Sequence, residues 1–128
     1  MLALDSVYLS FRTGGTERMR IDAAGVASVY TVPECRVYHT AAQSIPDSVG
    51  TALVFNSERY DTDTIHDTSV NTSRLTCKTA GRYLIVAHAS FEANATGLRQ
   101  LSLRLNGTTL IGVTTLTPTA GQFDMTAT

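Results

Sequence analysis

Leu101-Ser102-Leu103-Arg104-Leu105-Asn106-Gly107-Thr108-Thr109-Leu110-Ile111 is the stretch that decides the fold class. Apolar and polar residues alternate on both sides of Asn106-Gly107, the period-two pattern of strands with one buried face. Asn-Gly tolerates positive φ at both central positions, which a two-residue type I′ hairpin requires. Such a turn sets Leu103 opposite Leu110 and Leu105 opposite Thr108. Helical periodicity is hard to find anywhere else in the chain, so the expected class is all-β.

The same pattern extends outward in both directions. Near the start, Val7 to Arg12 and Glu17 to Ile21 flank Gly14-Gly15, placing Leu9, Phe11, Met19 and Ile21 on one face. Asp22-Ala23-Ala24-Gly25 turns the chain again before Val26 to Val32, and Pro33 then blocks a central ladder. Two domains are therefore expected: a short β-hairpin segment over 1–33 and a globular β domain over 34–128. About thirty residues of hairpin bury too little to stand alone, so the first segment must lean on something, most simply copies of itself. In the second domain, strands are expected at Arg36 to Thr40, Gly50 to Phe55, Ser73 to Cys77 and Arg82 to Phe91. Gly112, Pro118 and Gly121 punctuate the end, and a further strand opens at Phe123-Asp124-Met125-Thr126.

Arg82 to Phe91 is the most apolar of these. Tyr83, Ile85, Ala87, Ala89 and Phe91 share one face, while Leu84, Val86, His88 and Ser90 share the other. A strand with one solvated face should alternate cleanly. This one is apolar on both, so one face is assigned to a facing sheet and the Leu84, Val86, His88 face to a subunit interface.

Composition limits the function classes. The 128 residues hold 43% hydrophobic and 16% charged side chains, enough apolar material for a core. Ten basic and eleven acidic residues give a net charge of -1, which argues against nucleic acid as a partner. No apolar run approaches a membrane span, and no basic region precedes an apolar stretch at the start, so neither membrane insertion nor a signal peptide is expected. Cys35 and Cys77 lack the short spacing of a zinc or redox site. Two reduced, half-buried thiols are the favoured reading over one bridge.

Two resemblances add to this reading. Phe55, Asp61, Leu75, Gly81, Tyr83 and Ile85 follow the spacing of the motif of the globular-head jelly roll of complement subcomponent q, within the tumour necrosis factor-like superfamily, with Leu and Ile in place of two Phe. The gap between its halves is slightly longer than the family's, and His66 lies nearest to where the family carries an aromatic. From about Cys35 onward the chain thus resembles that jelly roll. The family's β-sandwich has two more strands after the one opening at Phe123, so this domain is expected to lack its last strands, or to borrow one. Earlier, Glu17-Arg18-Met19-Arg20-Ile21-Asp22-Ala23-Ala24-Gly25 resembles an element common in bacteriophage tail-fibre and other virion appendage proteins.

Together the resemblances imply a fibre segment followed by a globular tip. Such jelly rolls assemble as homotrimers, each subunit placing apolar residues along the three-fold axis. The implied partners are further copies of the chain, other virion fibre or tail proteins, and a host cell-surface glycan or protein. The implied location is the virion, after assembly in the bacterial cytoplasm.

Candidate chemistry is sparse. Glu58, Asp61, Asp63 and Asp67, with His66 among them, form the one dense acidic cluster, and Asp61, Asp63 and Asp67 are the candidate ligands for calcium, which takes roughly six to eight oxygens. The spacing lacks the glycine and terminal glutamate of an EF-hand. An ordinary loop, in which Asp and Thr bond their own turns, is the stronger reading. His39, His66 and His88 are scattered, and His88 reads as a core or interface residue. Arg18, Arg20, Glu34 and Arg36 read as solvated surface charges rather than pairs between subunits. No Gly-x-Ser-x-Gly element or marked carboxylate pair suggests catalysis. The expected function is therefore a non-enzymatic virion appendage that recognises a host surface through the loops at Asn56 to Asn71 and Ala93 to Gly97. A purely architectural fibre or decoration subunit, a secreted adhesin or ligand of the same fold, and a depolymerase are the competing readings, in that order.

Overall fold

The computed structural model describes residues 2–4, 7–117 and 123–128. The chain divides into two compact units, Met1–Ala80 and Gly81–Thr128. All strand pairs among the described residues are antiparallel, and no helix occurs there.

The first unit opens with a four-stranded meander in chain order, β1 (Leu2–Leu4), β2 (Tyr8–Thr13), β3 (Thr16–Asp22) and β4 (Ala27–Val29). Gly14 and Gly15 both take positive φ, 55° and 80°, which closes the β2–β3 turn as expected. Leu9 faces Ile21 and Phe11 faces Met19, so the four apolar residues do share a face. Asp22 makes the next turn by accepting the amides of Ala24 and Val26 on Oδ1, both at 2.9 Å, while Gly25 takes φ 82°. Arg20 pairs with Glu17 at 2.8 Å and lies over the Tyr8 ring at 4.3 Å, so it is not simply a solvated charge. The strand expected through Val32 ends at Val29.

Beyond Pro33 lies a second pair, β5 (Cys35–Tyr38) with β6 (Ser57–Asp61). The junction expected at Pro33 falls inside the first unit and is clasped by the residue that follows β6. Thr62 Oγ1 donates to the Val32 carbonyl at 2.6 Å and accepts from the Glu34 amide at 2.9 Å. A proline has no amide to join a ladder, and this hydroxyl serves the groups on either side of it.

Two strands expected in this unit do not form ladders. Over Gly50 to Phe55 the backbone is met by a side chain instead: Gln43 Nε2 donates to the Ala52 carbonyl at 2.9 Å and its Oε1 accepts the Val54 amide at 3.0 Å. Ser73 to Cys77 likewise has no strand partner, although the Thr76 amide reaches the Ile65 carbonyl at 2.7 Å. β6 conversely occupies a stretch read as loop from its polar residues.

The second unit contains β7 (Ala87–Phe91), β8 (Arg99–Leu105), β9 (Thr109–Leu116) and β10 (Phe123–Ala127). β8 and β9 form the expected Asn-Gly hairpin, with Asn106 and Gly107 at φ 53° and 74°. The register differs from expectation. Leu105 faces Thr109, Arg104 faces Leu110 and Leu103 faces Gly112, with an irregularity between Leu103 and Arg104. Thr108 belongs to the turn, its amide bonding the Leu105 carbonyl at 3.2 Å, so the loop holds one residue more than a type I′ pair needs.

β10 returns to pair with β7, and Thr114 Oγ1 of β9 donates to the Thr126 carbonyl. Leu101, Met125 and Ala127 are the buried apolar residues of this unit. Gly112 is glycine for a steric reason: a Cβ there would stand 2.6 Å from the Thr128 carbonyl oxygen. Pro118 and Gly121 lie outside the described residues. Of the strand expected over Arg82 to Phe91, Ala87–Phe91 forms one.

Candidate functional site

The densest side-chain chemistry lies in the first unit, just after β6. Asp61 ends that strand and gathers the loop around itself. Its Oδ1 accepts the amides of Asp63 at 3.1 Å and Ile65 at 2.9 Å, and its Oδ2 accepts the amide of His66 at 2.8 Å. Burial opposes the charged carboxylate, but the His66, Ile65 and Asp63 amides outweigh it and hold the group below its ordinary range. The segment needs such an anchor because Thr64 takes a left-handed backbone, φ 50°, without being glycine.

The Asp61 anchor turns His66 inward. The imidazole is fully buried, with Nδ1 2.7 Å from Glu58 Oε1 and Nε2 3.0 Å from the Thr72 carbonyl. Both neighbours are acceptors, so both contacts are hydrogen bonds only when the ring carries two protons. Burial disfavours that cation, yet the Thr72 carbonyl and the Glu58 carboxylate prevail and raise its pKa above the ordinary 6.5. Phe55 meets the ring edge-on at 6.3 Å, and its amide shares the Thr72 carbonyl. His66 thereby fastens β6 to the turn at 71–74.

Asp67 builds the next turn. Its Oδ1 alone accepts the Ser69 amide, the Ser69 hydroxyl and the Val70 amide, at 2.8, 2.7 and 3.0 Å. Those bonds depress its pKa to about 2, the Ser69 hydroxyl contributing most. These carboxylates serve the backbone, as the loop reading anticipated. No group of three or more His, Cys, Asp or Glu side chains among the described residues is arranged to hold a metal ion. The calcium expectation at Asp61, Asp63 and Asp67 thus gains no geometry: turns take both oxygens of Asp61 and Oδ1 of Asp67.

Together these turns frame an open pocket of about 320 Å³. Thr64, His66 and Asp67 line one part of it and Asn71, Arg74 and Lys78 another, with Val70 contributing an apolar patch. Arg74 and Lys78 are exposed and have no ion-pair partner among the described residues. The expected recognition loop at Asn56 to Asn71 contributes most of this wall. The remaining third, Arg74, Thr76 and Lys78, was read as a strand and its neighbours; the one available signal was that Lys78 is the chain's single lysine.

The remaining expected residues lie elsewhere. In the second unit, Leu84, Val86 and His88 point to one exposed side: Leu84 is 87% and Val86 59% exposed. His88 is exposed too, with Asp124 across the strand pair at 3.9 Å, so it is not a core histidine of the single chain. The Ala93 to Gly97 loop is an Asx-type turn on Asn94, whose Oδ1 accepts the amide and hydroxyl of Thr96 at 3.0 and 2.9 Å. Cys35 and Cys77 are free thiols; Cys35 is half-buried as expected, whereas Cys77 is exposed. Burial, then Asp61 and Glu58, push the Cys35 thiol up and make it a poor nucleophile at neutral pH.

The fold and site define an all-β, antiparallel protein with a polar surface pocket. Among the described residues no helix is long and apolar enough to cross a membrane. No protein-family model, curated protein or solved structure matches this chain.

Proposed function

We propose that this chain is a non-enzymatic virion appendage protein, the tip of a tail or head fibre, that works as a homotrimer and recognises a host cell-surface glycan or protein. The observation that carries the assembly is surface area. The single chain exposes 9456 Å². A compact monomer of this mass exposes about 6,600 Å², and two separate compact units of these lengths about 7,900 Å². The excess is large against the roughly 800 Å² that each partner contributes to a standard interface. Much of it is apolar, including Leu84, Val86, Leu98, Leu110, Ile111 and Val113. Monomers seldom leave so much apolar surface uncovered, and further copies are the simplest cover.

The Leu84, Val86, His88 face is the part of that surface assigned to the three-fold. It supports the reading that its alternation with the half-buried Tyr83, Ile85 and Ala87 continues unbroken from β7. The pairing of β10 with β7, the last strand of the second unit with its first, is what a Greek-key return would give, and we read the chain from Cys35 onward as the trimeric jelly roll of the resemblance. The β1–β4 meander is then the end of a shaft. Recognition belongs to the pocket after β6, where a rigid frame holds polar side chains at a loop. Repetition in three copies raises weak contacts to useful avidity.

Leu84→Asp with Val86→Asp tests this. The pair is expected to reduce a particle three times the 13.7-kDa chain to single chains and to abolish adsorption of the purified protein to host cells. Unchanged mass in the variant would remove this face from the interface. Trimers that bind no cell surface would favour the architectural subunit.

A further inference from the structure

We propose that the pocket after β6 binds the carboxylate-bearing ring of an acidic saccharide, a hexuronic acid or a similar sugar acid, with Arg74 and Lys78 on the carboxylate. This deepens, and rests on, the recognition role proposed above. Four observations converge on it. First, the cations are local. The chain carries a net charge of -1, yet Arg74 and Lys78 flank one pocket with no anionic partner among the described residues. Cations left without partners in a concavity attract a ligand anion.

Second, the site also holds an unused acceptor. Asp67 is exposed, every protein bond to it falls on Oδ1, and its Oδ2 makes none among the described residues. A bare anion such as phosphate would be repelled by that oxygen, whereas a sugar acid presents hydroxyl donors to it and its carboxylate to the cations. The Asn71 amide and the Thr64 and Thr76 hydroxyls supply further donors and acceptors of the kind sugar hydroxyls use.

Third, Val70 is 60% exposed at the rim, an apolar patch for the C–H face of a ring. The volume, about 320 Å³, lies at the small end of ligand sites and suits one or two rings. Fourth, the walls are preorganised. Thr64 and Asn71 both line the pocket, and both hold left-handed backbone, φ 50° and 53°. Side-chain bonds from Asp61 and His66 fix the chain around them, and strain of this kind gathers at ligand clamps.

The test is a titration of the isotope-labelled full chain, followed by amide chemical shifts, with galacturonate, galactose and inorganic phosphate as probes. Galacturonate is expected to shift amides within 64–78 with a Kd of roughly millimolar, and galactose to bind ~10-fold more weakly or not at all. Phosphate should leave these amides in place. Arg74→Gln and Lys78→Gln should each weaken galacturonate about 10-fold. Both side chains are exposed and unpaired, so these variants should keep the parent circular dichroism spectrum. Arg82→Gln, in the other unit, should change nothing.

No shift with galacturonate, an equal response to galactose, or an equal response to phosphate would each overturn the proposal. So would undiminished binding in both glutamine variants. Light scattering on the same samples separates this outcome from the assembly reading. A trimer that ignores galacturonate retires the sugar-acid site alone, whereas a monomer that binds it retires the trimer and leaves the site standing.

Discussion

The β2–β3–β4 meander and the segment from Asp61 to Lys78 belong to the same compact unit but are held by different means. The meander is a backbone ladder closed by turn residues with the right φ, and its side chains pair across strands. The later segment has no ladder of its own beyond β6. Asp61, Thr62, His66 and Asp67 replace it, each taking backbone groups onto a side chain. A ladder spreads its hydrogen bonds over many residues, so any one side chain matters little. A segment tied by a few side chains concentrates the same work, and it can shape a pocket because no strand neighbour dictates its path.

That contrast orders the effects of substitution. Asp61→Ala strips the acceptor from three amides at once and should destabilise the fold by about 3 kcal/mol in urea denaturation. A loss below that of any single turn change in the meander would break the contrast. His66→Gln keeps a donor but cannot serve both Glu58 and Thr72 as a cation, and should cost about 2 kcal/mol near neutral pH. Its pH dependence has a definite sign. The folded-state pKa of His66 lies above the ordinary 6.5, so its contribution is complete below 6.5 and is lost as the pH rises through the folded value. The melting temperatures of the parent and His66→Gln should therefore converge on the alkaline side. A gap that widens there would contradict a buried imidazolium.

The Asp67 turn should open in acid. Its depressed pKa means that the turn is intact above the ordinary 3.8 and is lost as the pH falls toward about 2. Amide exchange at Ser69 and Val70 should accelerate over that range, ahead of exchange in β2 and β3. In the meander, Gly25→Ala forces a Cβ into φ 82° with open space around it, so the cost is conformational only, about 1 kcal/mol. Arg20→Gln, which breaks a partly exposed pair with Glu17 and the contact over the Tyr8 ring, should lower the melting temperature only slightly, the smallest effect of the series.

The contrast also explains how much could be read from the sequence. Gly14-Gly15, Asp22 to Gly25 and Asn106-Gly107 announced their turns because positive φ restricts residue choice, and the alternation beside them announced the strands. The all-β class and the Phe11–Met19 face followed from those signals. The β8–β9 register did not, since Asn-Gly suits both a two-residue turn and the longer loop that includes Thr108. Gly50 to Phe55 is an apolar run of strand length, but Gln43, seven residues before it, bonds the Ala52 carbonyl and the Val54 amide, and nothing local reveals that. β6 was hidden by its polarity: Ser57 to Asp61 carries three charged residues and an exposed tyrosine, yet the ladder to β5 needs only backbone.

At the site, Asp61, His66 and Asp67 were visible as a cluster, but their role was not. Carboxylates at alternating positions suit metal ligands and turn caps equally well, and only the amide geometry separates the two. Arg74 and Lys78 were invisible as site residues because their meaning lies in what they face across the loop.

The most direct test of the account is the solution mass of the purified chain by light scattering. The proposed homotrimer, which would cover the exposed apolar face at Leu84 and Val86, requires a particle three times the 13.7-kDa chain mass. A stable particle of the single-chain mass would contradict it.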